Sequence, residues 1–207
     1  MSRKLRPLLY AVLVAAAASC ATSSTLVQRW SDPAYVGHKG DKMMIVALAK
    51  DERNQHTWED AFSAALSSVK IQPIKGSTVL PHSSAADEAT MKEAIRNSGA
   101  NLVAVSRLVD VEKEQVYVPG STYYTPAPSY YGMYGYYYNS YGMVNTPGYY
   151  QENKVYKLET NVYNVQNEKL VWSGLTETVN PETAQDAANS VIQVVIGDMI
   201  DSKVIAK

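Results

Sequence analysis

The run MMIVALA, Met43 to Ala49, constrains the fold more than any other stretch of this 207-residue chain. Seven apolar residues in a row have no polar face to give to water. At that length the run reads as a strand buried on both faces, as in a sheet that carries helices. The elements after it fit that frame. Asp51 is a candidate N-cap, and Trp58, Phe62, Leu66 and Val69 follow at helical spacing. KIQPIKGSTVLP then reads as a strand at a sheet edge, because Pro73 has no N–H to give to a ladder. A second helix is expected from Ser84, with Met91, Ala94, Ile95 and Ser98 on one face and Gly99 as its stop.

The strand beginning NLVAVSRLVDV shows two apolar sets. Leu102, Ala104 and Leu108 belong to one face; Val103, Val105, Val109 and Val111 belong to the other. VYKLETNVYN and KLVWSGLTETV, joined by VQNE, form a hairpin. Asn180 as N-cap and Pro181 at the first helical position open a last helix. Its apolar face carries Ala184, Ala188, Val191, Val195 and Met199, and Gly197-Asp198 ends the run. The order β-α-β-α-β-β-β-α predicts an α/β sandwich on a mixed sheet. Right-handed crossovers put the first two helices on one side of the sheet if the strands stay neighbours.

The amino terminus bears on location. Arg3, Lys4 and Arg6 precede an apolar run from Leu8 to Ala18, then AASC ends at Cys20. A positive start, a short apolar core and small residues before a cut make a secretory leader over residues 1–19, too short to span a bilayer. Small residues directly before a lone cysteine resemble the lipobox of bacterial lipoproteins, with Ala17 where leucine is usual. That resemblance makes Cys20 the lipidated first residue and, with Ala21 rather than aspartate after it, implies the outer membrane. An ordinary leader that holds a cysteine is the other reading. As the chain's one cysteine, Cys20 has no internal disulfide partner. Residues 20–29 read as a lipidated tether, and 30–207 as one periplasmic domain with a tyrosine-rich insertion at 120–150. Trp30 and Tyr35 are expected to pack at the domain's edge. The chain carries 19 Lys and Arg against 20 Asp and Glu, and the leader removes three of the bases, so no basic stripe suits nucleic acid.

The motif W-x-D-P-x-Y from Trp30, the strand LETNVYN from Leu158 and the strand KLVWSG from Lys169 resemble a group of uncharacterised proteobacterial envelope lipoproteins. Cys20, Asp32, Pro33, Tyr35, Glu159, Thr160, Tyr163, Leu170, Trp172 and Ser173 also carry the likeness. The element order is similar to that of curli-secretion lipoproteins and of lipoproteins that activate penicillin-binding proteins. These likenesses imply a non-enzymatic protein that binds or assembles with envelope components.

Catalytic and metal motifs are scarce. His38, His56 and His82 have no second histidine at helical spacing, and no GxSxG elbow or phosphate loop occurs. His56, Glu59 and Asp60 share a helical face, which reads best as solvated rather than metal-binding. Glu159 and Asp110 are candidate acids for the alternative, a glycan hydrolase. No catalytic residue, metal or cofactor is expected.

From Gln115 to Gln151 no Asp, Glu, Lys or Arg occurs, while twelve tyrosines fall between Tyr117 and Tyr150. Disordered segments are poor in aromatics and rich in charge, the reverse of this one. Tyrosine with glycine and serine is the mixture of adaptable binding loops. Tyr123, Tyr124, Tyr130, Tyr131, Tyr134, Tyr136, Tyr137, Tyr138, Tyr141, Tyr149 and Tyr150 are therefore the candidate contact residues, for an envelope protein or peptidoglycan. A tolerated low-complexity insertion and a self-associating surface are the alternatives.

Overall fold

The computed structural model describes residues 22–80, 87–122 and 145–206. The leader, Cys20, Ser84, His82 and the tyrosines from Tyr123 to Tyr141 lie outside them. The strands are β1 (Ser24–Ser31), β2 (Lys42–Leu48), β3 (Gln72–Lys75), β4 (Leu102–Val118), β5 (Ser121–Thr122), β6 (Asn145–Thr146), β7 (Tyr149–Asn164) and β8 (Leu170–Val179). The helices are α1 (Glu52–Ser68), α2 (Gly76–Val79), α3 (Glu88–Asn97) and α4 (Ala184–Asp201). Six strands make a mixed sheet in the order β1-β8-β7-β4-β2-β3, with β2 parallel to β3 and β4 and the other pairs antiparallel. Layered helices on this sheet make an α/β sandwich, as its alternating elements predict. β5 and β6 pair separately.

The apolar run splits as a doubly covered strand must. Met43, Ile45 and Ala47 join the large core of α1, α4, Leu102, Ala104 and Trp172, while Met44 and Val46 join a smaller core with Val103 and Ile95. α1 and α3 therefore cover opposite faces, against the expectation of one side. The reason is direction. The first crossover steps from β2 outward to β3; the second returns past β2 to β4. Right-handed crossovers moving opposite ways place their helices on opposite faces. β3 is an edge strand, as Pro73 requires.

Other boundaries move too. The supposed tether is a strand from Ser24, paired with β8 from Ser24↔Thr178 to Ser31↔Trp172. Asp51 caps α1, accepting from the N–H of Arg53 at 2.7 Å and of Asn54 at 3.3 Å. Asp87 caps α3 by accepting from Thr90 N–H at 2.7 Å, and this bonding holds its carboxyl below the usual aspartate value. Thr183, not Asn180, caps α4: its Oγ accepts from Asp186 N–H at 3.1 Å. The helix passes through Gly197-Asp198 and ends at Asp201.

The WSG motif is packing. Trp172 is fully buried and its indole N–H donates to Asp198 Oδ1 at 2.9 Å, while Arg29 pairs with the other oxygen. Gly174, two residues on, faces the same way. A Cβ there would lie 2.3 Å from the Trp172 ring, so only glycine leaves the ring its place. Tyr35 packs half-buried against this core, and burial, with Asp41 adding, pushes its hydroxyl up to about 12. Trp30 stays about half exposed, opposite Ser173 on β1.

β4 carries a bulge. Leu108 faces Leu158 and Asp110 faces Lys157, so Val109 is left without a partner. The extra residue reverses the alternation beyond it. Val111 thus lies with Leu108 and Ala104, not with Val103 and Val105 as strict alternation from Leu102 predicts.

Candidate functional site

β4 and β7 outrun their neighbours. β2 ends beside Arg107, and β8 ends at Val179 beside Val155. Beyond those points, among the described strands, Lys113–Val118 and Tyr149–Lys154 have one another as their ladder partners and form a two-stranded arm. Its root is held by charge. Lys113 meets Glu152 at 3.1 Å, and Lys157 meets Glu112 and, at 3.6 Å, Glu177. The hydrogen bond that it donates to Glu112 holds the Lys157 ammonium above its usual value. Such solvent-screened pairs contribute little, so the arm is held far less firmly than the core.

Asn180 fastens the root. It sits at φ +45°, a left-handed conformation that asparagine tolerates better than most residues. From there its side-chain oxygen accepts from Lys154 N–H at 2.7 Å, and its own N–H donates to Lys154 C=O at 2.9 Å. Its amide N–H also donates to Asn153 Oδ1 at 2.7 Å. Asn180 ends β8 instead of opening a helix.

The far end of the arm is aromatic. Tyr117 and Tyr150 face each other with ring centroids 5.2 Å apart, and Tyr149 stands opposite Val118. Gly148 lets the Tyr117 hydroxyl lie close over the backbone, for a Cβ there would be 2.1 Å from it. Val116, Tyr117, Tyr149 and Tyr150 are exposed, Tyr150 at 72 %. Of the eleven candidate tyrosines, the structure places Tyr149 and Tyr150 on opposite faces of this tip; the other nine lie outside the described residues.

A groove of about 750 Å³ lies at the arm's root, beside the N-termini of α1 and α4. Leu48, Trp58, Leu108, Val111, Leu158 and Ala188 give it mostly apolar walls. It exists because α1 and α4 begin where β2 and β8 end, so the continuing arm has sheet but no helix over it. The small side chains of Ala184, Ala187 and Ala188 keep it open on the α4 side. Neither the groove nor the arm's length is read from the apolar pattern. The bulge that turns Val111 into the groove is what hides it.

The other candidates fall elsewhere. Glu159 stands opposite Arg107 and accepts its Nε–H at 2.7 Å, while Asp110 accepts from Val111 N–H at 2.8 Å. Both belong to the sheet face away from α1 and α4, and each has a cation opposite it in register. Glu59 is not on a solvated face. It is fully buried, accepting from Ser77 N–H at 3.1 Å, the Ser77 hydroxyl, Gln55 at 3.3 Å and Ala47 N–H at 3.4 Å, and so ties α2 to α1 and β2. His56 and Asp60 remain exposed, with Asp60 paired to Lys75. Among the described residues no group of three or more metal-ligating side chains occurs, and no helix is long and apolar enough to cross a membrane.

No family model matches the chain, and no curated protein does. Among solved structures it is similar to the PelC dodecamer from Paraburkholderia phytofirmans, at 14% identity over 83% of this chain and 95% of that one, with a TM-score of 0.45. It is also similar to lipoprotein GNA1162 from Neisseria meningitidis, at 11% identity over 78% of this chain and 99% of that one, with a TM-score of 0.38. Both likenesses are loose.

Proposed function

We propose that this chain is a lipid-anchored protein of the outer membrane, facing the periplasm, which binds or scaffolds envelope partners and catalyses nothing. The arm is the observation that carries the reading. A two-stranded extension with an exposed aromatic end and an apolar groove at its root is a contact device, built outside the sheet that stabilises the domain. The leader-like start and Cys20 support the anchor. The tyrosines support a partner that offers flat apolar or sugar surfaces, an envelope protein or peptidoglycan. Exposed hydrophobic residues gathered in one place mark interaction sites more often than scattered ones do.

In-cell crosslinking with mass spectrometry tests this. The intact chain is compared with one in which residues 113–154 are replaced by a two-residue turn, so that β7 keeps its pairing with β8. A discrete partner captured by the intact chain and missed by the shortened one supports the reading. Identical crosslinks from both would remove the arm from the function.

A further inference from the structure

The chain enters the fold at the same end from which the arm leaves. Ser24 pairs with Thr178, and Thr178 with Tyr156, so Ser24 is level with Tyr156 across the sheet. Cys20 is four residues before Ser24. Even fully extended, those residues reach only about 14 Å. Tyr149 is seven residues beyond Tyr156 along β7, about 23 Å at the rise of a strand. The tip therefore outreaches the tether that would hold the domain to its membrane.

Charge is sorted along the arm in a way that fits this. The root carries Glu112, Lys113, Glu114, Glu152 and Lys154; past Gln115 and Gln151 no charged residue remains. The tip is apolar on both faces, with Tyr117 and Tyr150 on one and Val116 and Tyr149 on the other. A charged belt followed by tyrosine and valine is the order met on passing from water into the headgroup region, where tyrosine rings sit with their hydroxyls toward water.

We propose that the end of the arm, Val116, Tyr117, Tyr149 and Tyr150, enters the interface of the bilayer in which Cys20 is anchored. The arm is then a second lipid contact that fixes the domain's tilt and turns the groove toward the membrane surface. The proposal rests on the lipid anchor of the functional reading.

The mature protein lends itself to a direct test, because lipidation leaves no free thiol. Nitroxide labels on Tyr150→Cys and, on the other face, Val116→Cys are compared with one on Gln166→Cys, exposed in the turn at the far end of the sheet. The full lipidated protein is placed in vesicles of phosphatidylethanolamine and phosphatidylglycerol. Accessibility to oxygen, which enters lipid, is measured against a water-soluble nickel chelate. The expected result is a severalfold rise in the oxygen-to-nickel ratio at both tip positions and none at Gln166. Intact mass reads Cys20 separately. A lipidated protein whose tip labels stay as open to nickel as Gln166 keeps its anchor and loses the tip insertion. A chain without lipid loses both. Tip labels shielded from both reagents in native membranes but open to nickel in vesicles would assign the tip to a protein partner and overturn the membrane contact.

Discussion

The wall around Trp172 and the arm of Lys113–Val118 and Tyr149–Lys154 share one strand, β7, yet they are held together by different means. At Trp172 every atom has a neighbour: a buried indole, a carboxylate for its N–H, a glycine that leaves it space. In the arm the ladder is backbone pairing trimmed with exposed ion pairs and one tyrosine pair. Buried packing is concentrated in the first and exposed apolar surface in the second. Residues free of a packing duty can be chosen for what they touch.

Substitutions should separate the two regions cleanly. Trp172→Ala empties the core and takes one of the two donors from Asp198, and should cost about 3–5 kcal/mol in urea unfolding. Gly174→Ala forces a methyl group into the ring, at a cost of about 1–3 kcal/mol by the same measurement. Thr183→Ala removes the cap of α4 and should cost about 1 kcal/mol. Tyr150→Ser, at the tip, should stay within about 0.5 kcal/mol of the parent while weakening the contact that crosslinking reads. A large loss of stability from the tip, or a small one from Trp172, would break the division.

A pH series sharpens the division further. Tyr35 in the fold titrates at about 12 against an ordinary 10.0. Between those values the unfolded chain has lost the proton and the folded one keeps it, so stability falls as pH rises through the window. The contribution is whole below about pH 10 and lost by about pH 12. Tyr35→Phe should show a shallower fall there in urea midpoints; an unchanged slope would mean that burial of this hydroxyl has no hold on the fold.

Much of the body was legible because it obeys a period. Met43–Ala49, the stripe of Trp58, Phe62 and Leu66, and the proline of the edge strand each follow from what a buried or unbonded group costs. β1 was not legible: TLVQRWS mixes polar and apolar residues as an edge strand does, and nothing local distinguishes it from a tether. The placement of α3 was lost because a side of the sheet depends on strand order, which no window of sequence contains. Asn180 looked like a cap since Asn-Pro commonly opens helices, whereas its bonds run to Lys154, 26 residues away in the chain. Composition made the tyrosines candidate contact residues, but the ribbon that presents two of them follows from how far β4 and β7 pair.

The bulge at Val109 works as a phase marker. Alternation along a strand is a two-letter message, in and out, and one unpaired residue inverts every letter after it. With Val109 present, Val111 falls on the groove side and Glu112 on the side where it meets Lys157. Delete that single residue and Asp110 still faces Lys157, Val111 still faces Tyr156, and the ladder closes without a break: the faces stay as they are and the local bend and twist are lost. One residue at the root, left without a partner across the ladder, thus shapes how the arm leaves the body while both faces of the arm keep their places.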